Sequence, residues 1–187
     1  MKTYMDILNF WFLPEAHPDF GKIRPIWFEK NPDFDAEITA LFTKALEQAK
    51  AGYLLHWAKH SKGCLALILL FDQFSRNMFR DTPDAFSTDA KALELANYMQ
   101  TSGLFDALSE TEKPFALLPF EHSESMKNQK KSVALFKKHG SEQGLEYAIR
   151  HYDIIKEYGR FPHRNKILGR RSSKPEIEFL KQPHSSF

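Results

Sequence analysis

Apolar residues recur at three- and four-residue intervals through most of the chain, the spacing of helices that bury one face. The clearest stripe predicts a helix with Asp33 and Asp35 near its start and Gly52 just past its end; its apolar members are Ile38, Leu41, Phe42, Ala45, Leu46 and Ala49. No segment shows the sustained two-residue alternation of a half-buried strand. The pattern therefore predicts an all-α protein.

The most apolar segment, from Lys62 to about Asn77, predicts a central helix. Its apolar residues cover every face before the pattern turns polar at Asp72, so we expect the first half to be buried and the second half to emerge. The same signals, with glycines and capping residues as boundaries, predict further helices. These are Asp6 to Leu13, Ile23 to Phe28, a helix from Ser87 or Thr88 to Gly103, and Glu110 to Leu118.

A long helix is predicted from Pro119, because proline fits the first position of a helix, and Gly140 is expected to end it. This helix places His122 on the packing face. Glu124 falls on the opposite, solvent-facing side, where it is expected to pair with the lysines of that face.

The last long helix, Glu142 to Tyr158, has two apolar stripes, which predicts that it packs between neighbours. His151 lies in one stripe beside aromatic residues, and we expect a neutral imidazole held by one hydrogen bond. The connections between helices are short, which favours antiparallel hairpins. We expect a single compact domain over residues 1–187, with a flexible tail at 182–187.

The composition limits the classes of protein to which the chain can belong. The chain has 187 residues, 42% hydrophobic and 27% charged, and can bury a core without disulfides or metals. Its formal net charge of +2 argues against a nucleic-acid or membrane footprint over the whole surface. The longest apolar run, Cys64 to Phe71, is far shorter than the roughly twenty residues that span a bilayer. No secretory signal pattern is present, so a cytoplasmic protein without a membrane or nucleic-acid partner is expected.

The segment Tyr158 to Arg171, YGRFPHRNKILGRR, combines cations, a histidine and an asparagine between two glycines. Gly159 is expected to end the preceding helix, Pro162 to open a short one and Gly169 to close it. The free amides of this short helix would lie near its arginines and histidine and form an anion-binding corner. The anion is either a buried carboxylate of the chain itself or a ligand.

Two further groups of residues are candidates for ligand binding or catalysis. Asp72, Arg76 and Arg80 follow a four-residue spacing, which places them on one helix face and lets Asp72 pair with Arg76. Arginine binds carboxylates and phosphates through two hydrogen bonds, so these arginines suit either a structural ion pair or a substrate clamp. Glu121 and His122 combine a carboxylate with an imidazole, the raw material of acid–base chemistry near neutral pH.

Several longer sequence segments are specific enough to indicate a protein family. They are FWF at 10–12, WF at 27–28, LLFDQFSRNMFR at 69–80, LPFEHSE at 118–124, SVALF at 132–136 and YGRFPHRNKILGR at 158–170. In these strings the chain resembles a bacterial family of unknown function, DUF924. The resemblance implies a tetratricopeptide-like fold, a right-handed array of helix hairpins. It brings no reaction, substrate or catalytic residue with it.

Two functions are predicted. In the first, an interior pocket binds a small anionic metabolite and acts on it by acid–base chemistry. Its predicted catalytic residues are His163, His122 and Glu121, and its predicted ligand-binding residues are Asp72, Arg76, Arg80, Arg160, Arg164, Asn165 and Arg170. No metal or cofactor is expected, because metal-ligand spacings and phosphate-binding glycine loops are missing from the sequence. The alternative is a non-catalytic tetratricopeptide-like scaffold that binds a peptide or partner protein in a groove.

Overall fold

The structure, a computed structural model, describes residues 2–183 and 185–186, and within them it contains helices and no strands. The prediction of an all-α protein is confirmed. The helices are α1 Tyr4–Phe12, α2 Pro32–Lys50, α3 Ser61–Leu69, α4 Ser75–Met78, α5 Asp89–Thr101, α6 Lys113–Glu121, α7 Met126–His139, α8 Glu142–Tyr158 and α9 Lys174–Phe179. Short 3₁₀ helices connect them at Pro25–Trp27, Leu55–Lys59, Pro83–Phe86, Leu104–Ala107 and Pro162–Arg164.

The core is built around α3, which is the central helix that the sequence predicts. Every residue from Cys64 to Phe71 is at most 1% exposed. The helix packs against α1, α5 and α6 and against the 3₁₀ helix Leu55–Lys59. Large rings fill the space between these elements, with Trp11 stacked on Trp27 at a centroid distance of 6.0 Å and edge-on to Phe115 at 5.6 Å. A helix buried on all sides explains why its apolar residues follow no single stripe.

A single π-helical turn, Leu70–Phe74, joins α3 to α4. Two hydroxyl groups add hydrogen bonds to the carbonyls of this turn. The Thr88 hydroxyl donates to the Phe71 carbonyl at 2.6 Å, and the Ser75 hydroxyl donates to the Leu70 carbonyl at 3.1 Å. Thr88 precedes α5 as the sequence predicts, but its side chain holds the π turn and does not cap α5. π turns of this kind occur frequently at functional sites.

The predicted helix start at Pro119 is wrong. Pro119 lies inside α6, which continues to Glu121, and the next helix begins only at Met126. A proline near the end of a helix removes one backbone hydrogen bond without stopping the helix, and the His122 N–H still donates to the Leu118 carbonyl at 2.9 Å. His122 is therefore the C-terminal cap of α6 and is not part of the packing face of α7.

The C-terminal region follows the prediction closely up to Gly159, which ends α8 with a φ of 70°. The segment after Pro162 is shorter than predicted, a single 3₁₀ turn at Pro162–Arg164 followed by turns up to Gly169, where φ is 65°. The helix α9 was not predicted from the sequence. Residues 184 and 187 of the predicted tail lie outside the described residues, and the tail remains a prediction.

Packing of the last helices positions the candidate site. α7 packs against both α6 and α8, and α6 also contacts α8. This arrangement brings the end of α6 against the middle of α8, close to the π turn and the start of α5. In the described part of the chain, no helix is both long and apolar enough to cross a membrane.

Candidate functional site

A polar cluster lies where six elements meet inside the apolar fold. The π turn, α4, α5, α6, α8 and the turn at Pro162–Arg164 each contribute at least one charged or titratable side chain. The members of this polar cluster are Asp72, Arg76, Asp89, Glu121, His122, His151 and Arg164. Five of them were predicted as site residues, His151 was assigned to the core, and Asp89 was not singled out.

Asp72 is the centre of the polar cluster and is fully buried. Its Oδ1 lies 2.7 Å from His122 Nδ1 and 3.2 Å from Arg76 Nη1, and its Oδ2 accepts from Gln73 Nε2 at 2.6 Å. Burial by itself raises the pKa of Asp72, but the charge of Arg76 and the hydrogen bonds from His122 and Gln73 outweigh burial and lower that pKa below its ordinary value. The predicted pairing of Asp72 with Arg76 is confirmed.

His122 and Asp72 form a histidine–carboxylate dyad. Burial lowers the pKa of His122 below its ordinary value, although Asp72 acts in the opposite direction. The imidazole is therefore neutral near pH 7. Because ionised Asp72 accepts a hydrogen bond at 2.7 Å, Nδ1 carries the proton and Nε2 is the basic nitrogen. This is the arrangement in which a carboxylate orients a general base.

Glu121 is next to His122 and, unlike Asp72, is held mostly in its protonated form. Burial raises its pKa to about 8, and the negative charge of Asp72 adds to the effect. Its Oε1 lies 3.4 Å from His151 Nδ1, beyond a good hydrogen bond, and its buried Oε2 makes no hydrogen bond within the described residues. A carboxyl group with this pKa is mostly protonated at neutral pH and can donate a proton.

His151 is a neutral imidazole, as predicted. Burial lowers its pKa to about 3, and its Nδ1 donates to the Tyr147 carbonyl at 2.9 Å. It was nevertheless predicted as an ordinary core residue, whereas its ring lies only 6.3 Å from the ring of His122. Glu121 and His151 thus form a pair with pKa values pushed far apart, which is typical of acid–base sites.

Two arginines converge on Asp89 at the first position of α5. Arg76 donates to both oxygens of Asp89, at 3.0 and 3.2 Å, while Arg164 Nη1 is 3.5 Å from Oδ2. The Arg164 guanidinium lies between the rings of Phe86 and Phe161, at 4.7 and 4.5 Å from their centroids. Burial, followed by the charge of Arg76, lowers the pKa of Arg164 to about 10.

Arg164 is poorly satisfied for a buried cation. The residue is 6% exposed, its ionic contact with Asp89 is long, and its Nε makes no hydrogen bond in the part of the chain that the structure describes. A guanidinium has five N–H donors in a fixed plane. Cation–π contact with two rings holds the guanidinium in place without using the donors.

The predicted anion-binding corner is occupied by an internal carboxylate. Glu124 accepts from both Nη atoms of Arg170, at 2.7 and 2.9 Å, and from the Phe161 N–H at 2.8 Å. The prediction that Glu124 faces solvent with the lysines is wrong, because the late start of α7 leaves this residue in the loop before it. Asn165, which is fully buried, accepts from Arg170 Nε at 2.9 Å and so fixes the same pair.

Three other predicted residues take different positions. Arg80 donates to both oxygens of Asp35 on α2, at 2.6 and 2.8 Å, and does not join the polar cluster. Arg160 binds Glu176 of α9 in the same two-bonded way, at 2.7 and 2.9 Å. His163 follows Pro162, and burial lowers its pKa to about 4, so its imidazole is neutral beside Arg164.

Charge in this region is balanced. The three arginines of the polar cluster and the corner, Arg76, Arg164 and Arg170, face three carboxylate side chains, Asp72, Asp89 and Glu124. Glu121 is mostly protonated, and burial favours the neutral form of the histidines. An anionic ligand can therefore bind here only in exchange for an internal carboxylate.

Two depressions on the described surface are lined by residues outside the polar cluster. One is lined by Glu157, Tyr158, Arg160, Ser173, Pro175 and Glu176, and the other by Lys2, Asp6, Ala40, Leu41, Lys44, Ala45 and Gln48. The polar cluster reaches solvent through Arg76, Asp89 and His122, whose side chains are 20%, 25% and 15% exposed. Across residues 2–183 and 185–186, no three His, Cys, Asp or Glu side chains are grouped in a way that could hold a metal ion.

The fold and the polar cluster define a class: an all-helical single-domain protein with an arginine, histidine and carboxylate cluster buried at the junction of its helices. The chain belongs to the DUF924 family, a bacterial protein family of unknown function, whose model matches residues 7–184. This confirms the predicted resemblance.

A solved structure shares the same fold over nearly its whole length. It is a protein of unknown function from Agrobacterium tumefaciens, 36% identical, with a TM-score of 0.87 over 96% of this chain and 97% of that chain. No curated protein matches the chain. The comparisons establish the family and the helical fold, while the chemistry has to be argued from the residues.

Proposed function

We propose that the polar cluster binds a small anionic metabolite between Arg76 and Arg164 and transfers a proton to or from it. The observation that carries this proposal is Arg164, a cation only 6% exposed, with one long ionic contact and a buried Nε that makes no hydrogen bond to the described residues. An unsatisfied buried donor costs about 1–3 kcal/mol. An anion that accepts from Arg164 recovers that free energy on binding.

Proton transfer is assigned to the residues next to the arginines. Asp72 orients His122, whose Nε2 accepts a proton from the bound metabolite. Glu121, with a pKa of about 8, supplies a proton at neutral pH. His163 remains a second neutral imidazole beside Arg164 and is proposed as an alternative base. Two groups with separated pKa values, next to a cation that holds the substrate, are the parts that acid–base catalysis on an anion requires.

The experiment measures anion binding to the wild type and to Arg164→Lys. Lysine keeps the charge but loses the planar donors, so binding of inorganic phosphate or succinate is expected to weaken by about tenfold or more, equivalent to about 1.4 kcal/mol. The matched control is Arg160→Lys, because Arg160 is engaged with Glu176 away from the polar cluster. Isothermal titration calorimetry gives both affinities.

Two results contradict the proposal. The first is that the wild type binds neither phosphate nor any of a panel of small mono- and dicarboxylates at millimolar concentration. Alternatively, Arg164→Lys binds as tightly as the wild type while Arg160→Lys binds weakly, which places the anion on another surface. Circular dichroism of each variant establishes that the fold is intact.

The alternative function, a tetratricopeptide-like scaffold for a peptide or partner protein, is supported by exposed apolar side chains. Ile23, Phe28 and Tyr53 are 70%, 71% and 75% exposed, which is high for large apolar residues. The two functions use different surfaces. Phe28→Ser is expected to weaken a protein or peptide complex and to leave phosphate binding unchanged.

A further inference from the structure

Asp89 already occupies the position between the two arginines. It is the first residue of α5, its side chain is 25% exposed, and its two oxygens accept from Arg76 while Oδ2 lies 3.5 Å from Arg164. The Asp89 carboxylate thus contacts these arginines in the way that the carboxylate of a ligand would. A ligand that binds there must displace it.

Asp89 is the carboxylate that is held least tightly in this region. Its contacts are 3.0, 3.2 and 3.5 Å, whereas Glu124 is held by three contacts of 2.7, 2.8 and 2.9 Å. Asp72 is fully buried and bonded to three side chains. Asp89 is partly exposed, so its side chain can turn to water without losing solvation. Exchange of a bound carboxylate for an incoming anion is therefore easiest at Asp89.

The exchange selects among anions by charge. A monocarboxylate that replaces Asp89 brings the same single negative charge, so it gains no additional charge interaction with Arg76 and Arg164. A phosphomonoester carries nearly two negative charges at neutral pH and three acceptor oxygens. It can engage both guanidiniums at once and also accept from the Nε of Arg164, which Asp89 leaves without a hydrogen bond.

We infer that the ligand of this site carries a phosphoryl group and that Asp89 is a specificity-determining residue, which excludes monocarboxylates by occupying their place. The inference rests on the proposed function, because it names the substrate class of the same site. The N-terminal end of α5 adds to the preference, since the helix dipole favours an anion at that end, and Thr88 does not cap it.

The first test needs no variant. Methyl phosphate and dimethyl phosphate differ by one methyl group and by nearly one negative charge at pH 7.5. Titration calorimetry of the wild type is expected to show methyl phosphate binding about tenfold or more tightly than dimethyl phosphate or acetate, since the dianion alone exceeds the charge of Asp89. Equal affinity for the three probes overturns the inference.

The second test compares the wild type with Asp89→Asn, which keeps the side-chain shape and removes the charge. The affinity for acetate is expected to rise by about tenfold, so that discrimination between methyl phosphate and acetate falls. An unchanged ratio of the two affinities overturns the role of Asp89. If Asp89→Asn does not fold, as judged by circular dichroism, Asp89→Ser is measured in its place, and the wild-type titrations still decide the substrate class.

Failure of the inference and failure of the proposed function give different results. If the wild type binds no anion, the proposed function is wrong. If it binds acetate and methyl phosphate equally and Arg164→Lys abolishes both, the site stands and the phosphoryl specificity is wrong.

Discussion

Glu121→Gln is the most direct test of the buried acid. Burial raises the pKa of Glu121 from 4.5 to about 8. Between these two pH values the folded protein keeps a proton that the unfolded chain releases, so stability falls as pH rises through this window and then levels off above the folded pKa. Glutamine cannot titrate and imitates the protonated carboxyl group. The wild type and Glu121→Gln should therefore be most similar near pH 5.

The magnitude follows from the pKa difference. Each unit corresponds to about 1.4 kcal/mol, so a rise from 4.5 to about 8 corresponds to a loss on the order of 5 kcal/mol over the whole titration, of which roughly 4 kcal/mol falls between pH 5 and pH 9. The groups that face Glu121 are His151 from α8, Asp72 from the π turn and its neighbour His122. His151 has a pKa of about 3 and Asp72 a lowered pKa, so both titrate below this window.

The assay is urea unfolding of both proteins at intervals from pH 5 to pH 9, followed by tryptophan fluorescence. Titrations common to the two proteins cancel in the difference between their unfolding free energies. As pH rises, the variant is expected to become more stable relative to the wild type by several kcal/mol. Glu47→Gln, at an exposed position on α2, is the control and should give a constant difference. A constant difference for Glu121→Gln as well would refute the assignment of Glu121 as a buried acid.

Two further predictions concern residues outside the polar cluster. Arg80→Met is expected to lower stability by roughly 1–3 kcal/mol, because the Asp35 carboxylate loses both hydrogen bonds from Arg80 and keeps the one from Asn77. Phosphate binding should stay unchanged. A loss of binding in calorimetry would show that Arg80 belongs to the site. Gly63→Ala is expected to destabilise by about 1–3 kcal/mol or more, because the new Cβ would lie 2.3 Å from the Trp57 carbonyl oxygen. Thermal unfolding measures this, and Gly21→Ala, whose Cβ meets no atom within 4 Å, should cost less despite a φ of 76°.

Helix positions were predictable where a stripe and a stop signal agreed. For α2 the apolar spacing and Gly52 agree, and for α8 the double stripe agrees with Gly159. Pro119 misled the prediction because proline is tolerated near the end of a helix as well as at its start. The π turn has no periodic signal, since four of its five residues are buried, and one of its hydrogen bonds comes from the Thr88 hydroxyl, which is distant in sequence.

The site was predictable in part. Asp72, Arg76, Glu121, His122 and Arg164 were identified from residue type and spacing, and the structure brings them together. Asp89 was missed because an acidic residue in the first turn of a helix is common and has a sufficient local explanation in the helix dipole. Glu124 was misplaced because its position depended on the start of α7. Partners that are distant in sequence, such as Phe86 for Arg164, leave no local pattern.

The π turn also determines where the polar cluster can exist. A π turn contains one residue more than the α-helical turn it replaces, and removing that residue would rotate everything after it by about 100° around the helix axis. Arg76 would then point away from Asp89, and the Phe71 carbonyl would no longer need the Thr88 hydroxyl. Chain length in this helix is therefore as strict a requirement as side-chain identity, and a homologue that lacks one residue between positions 70 and 74 should have lost the site even if it kept every charged residue.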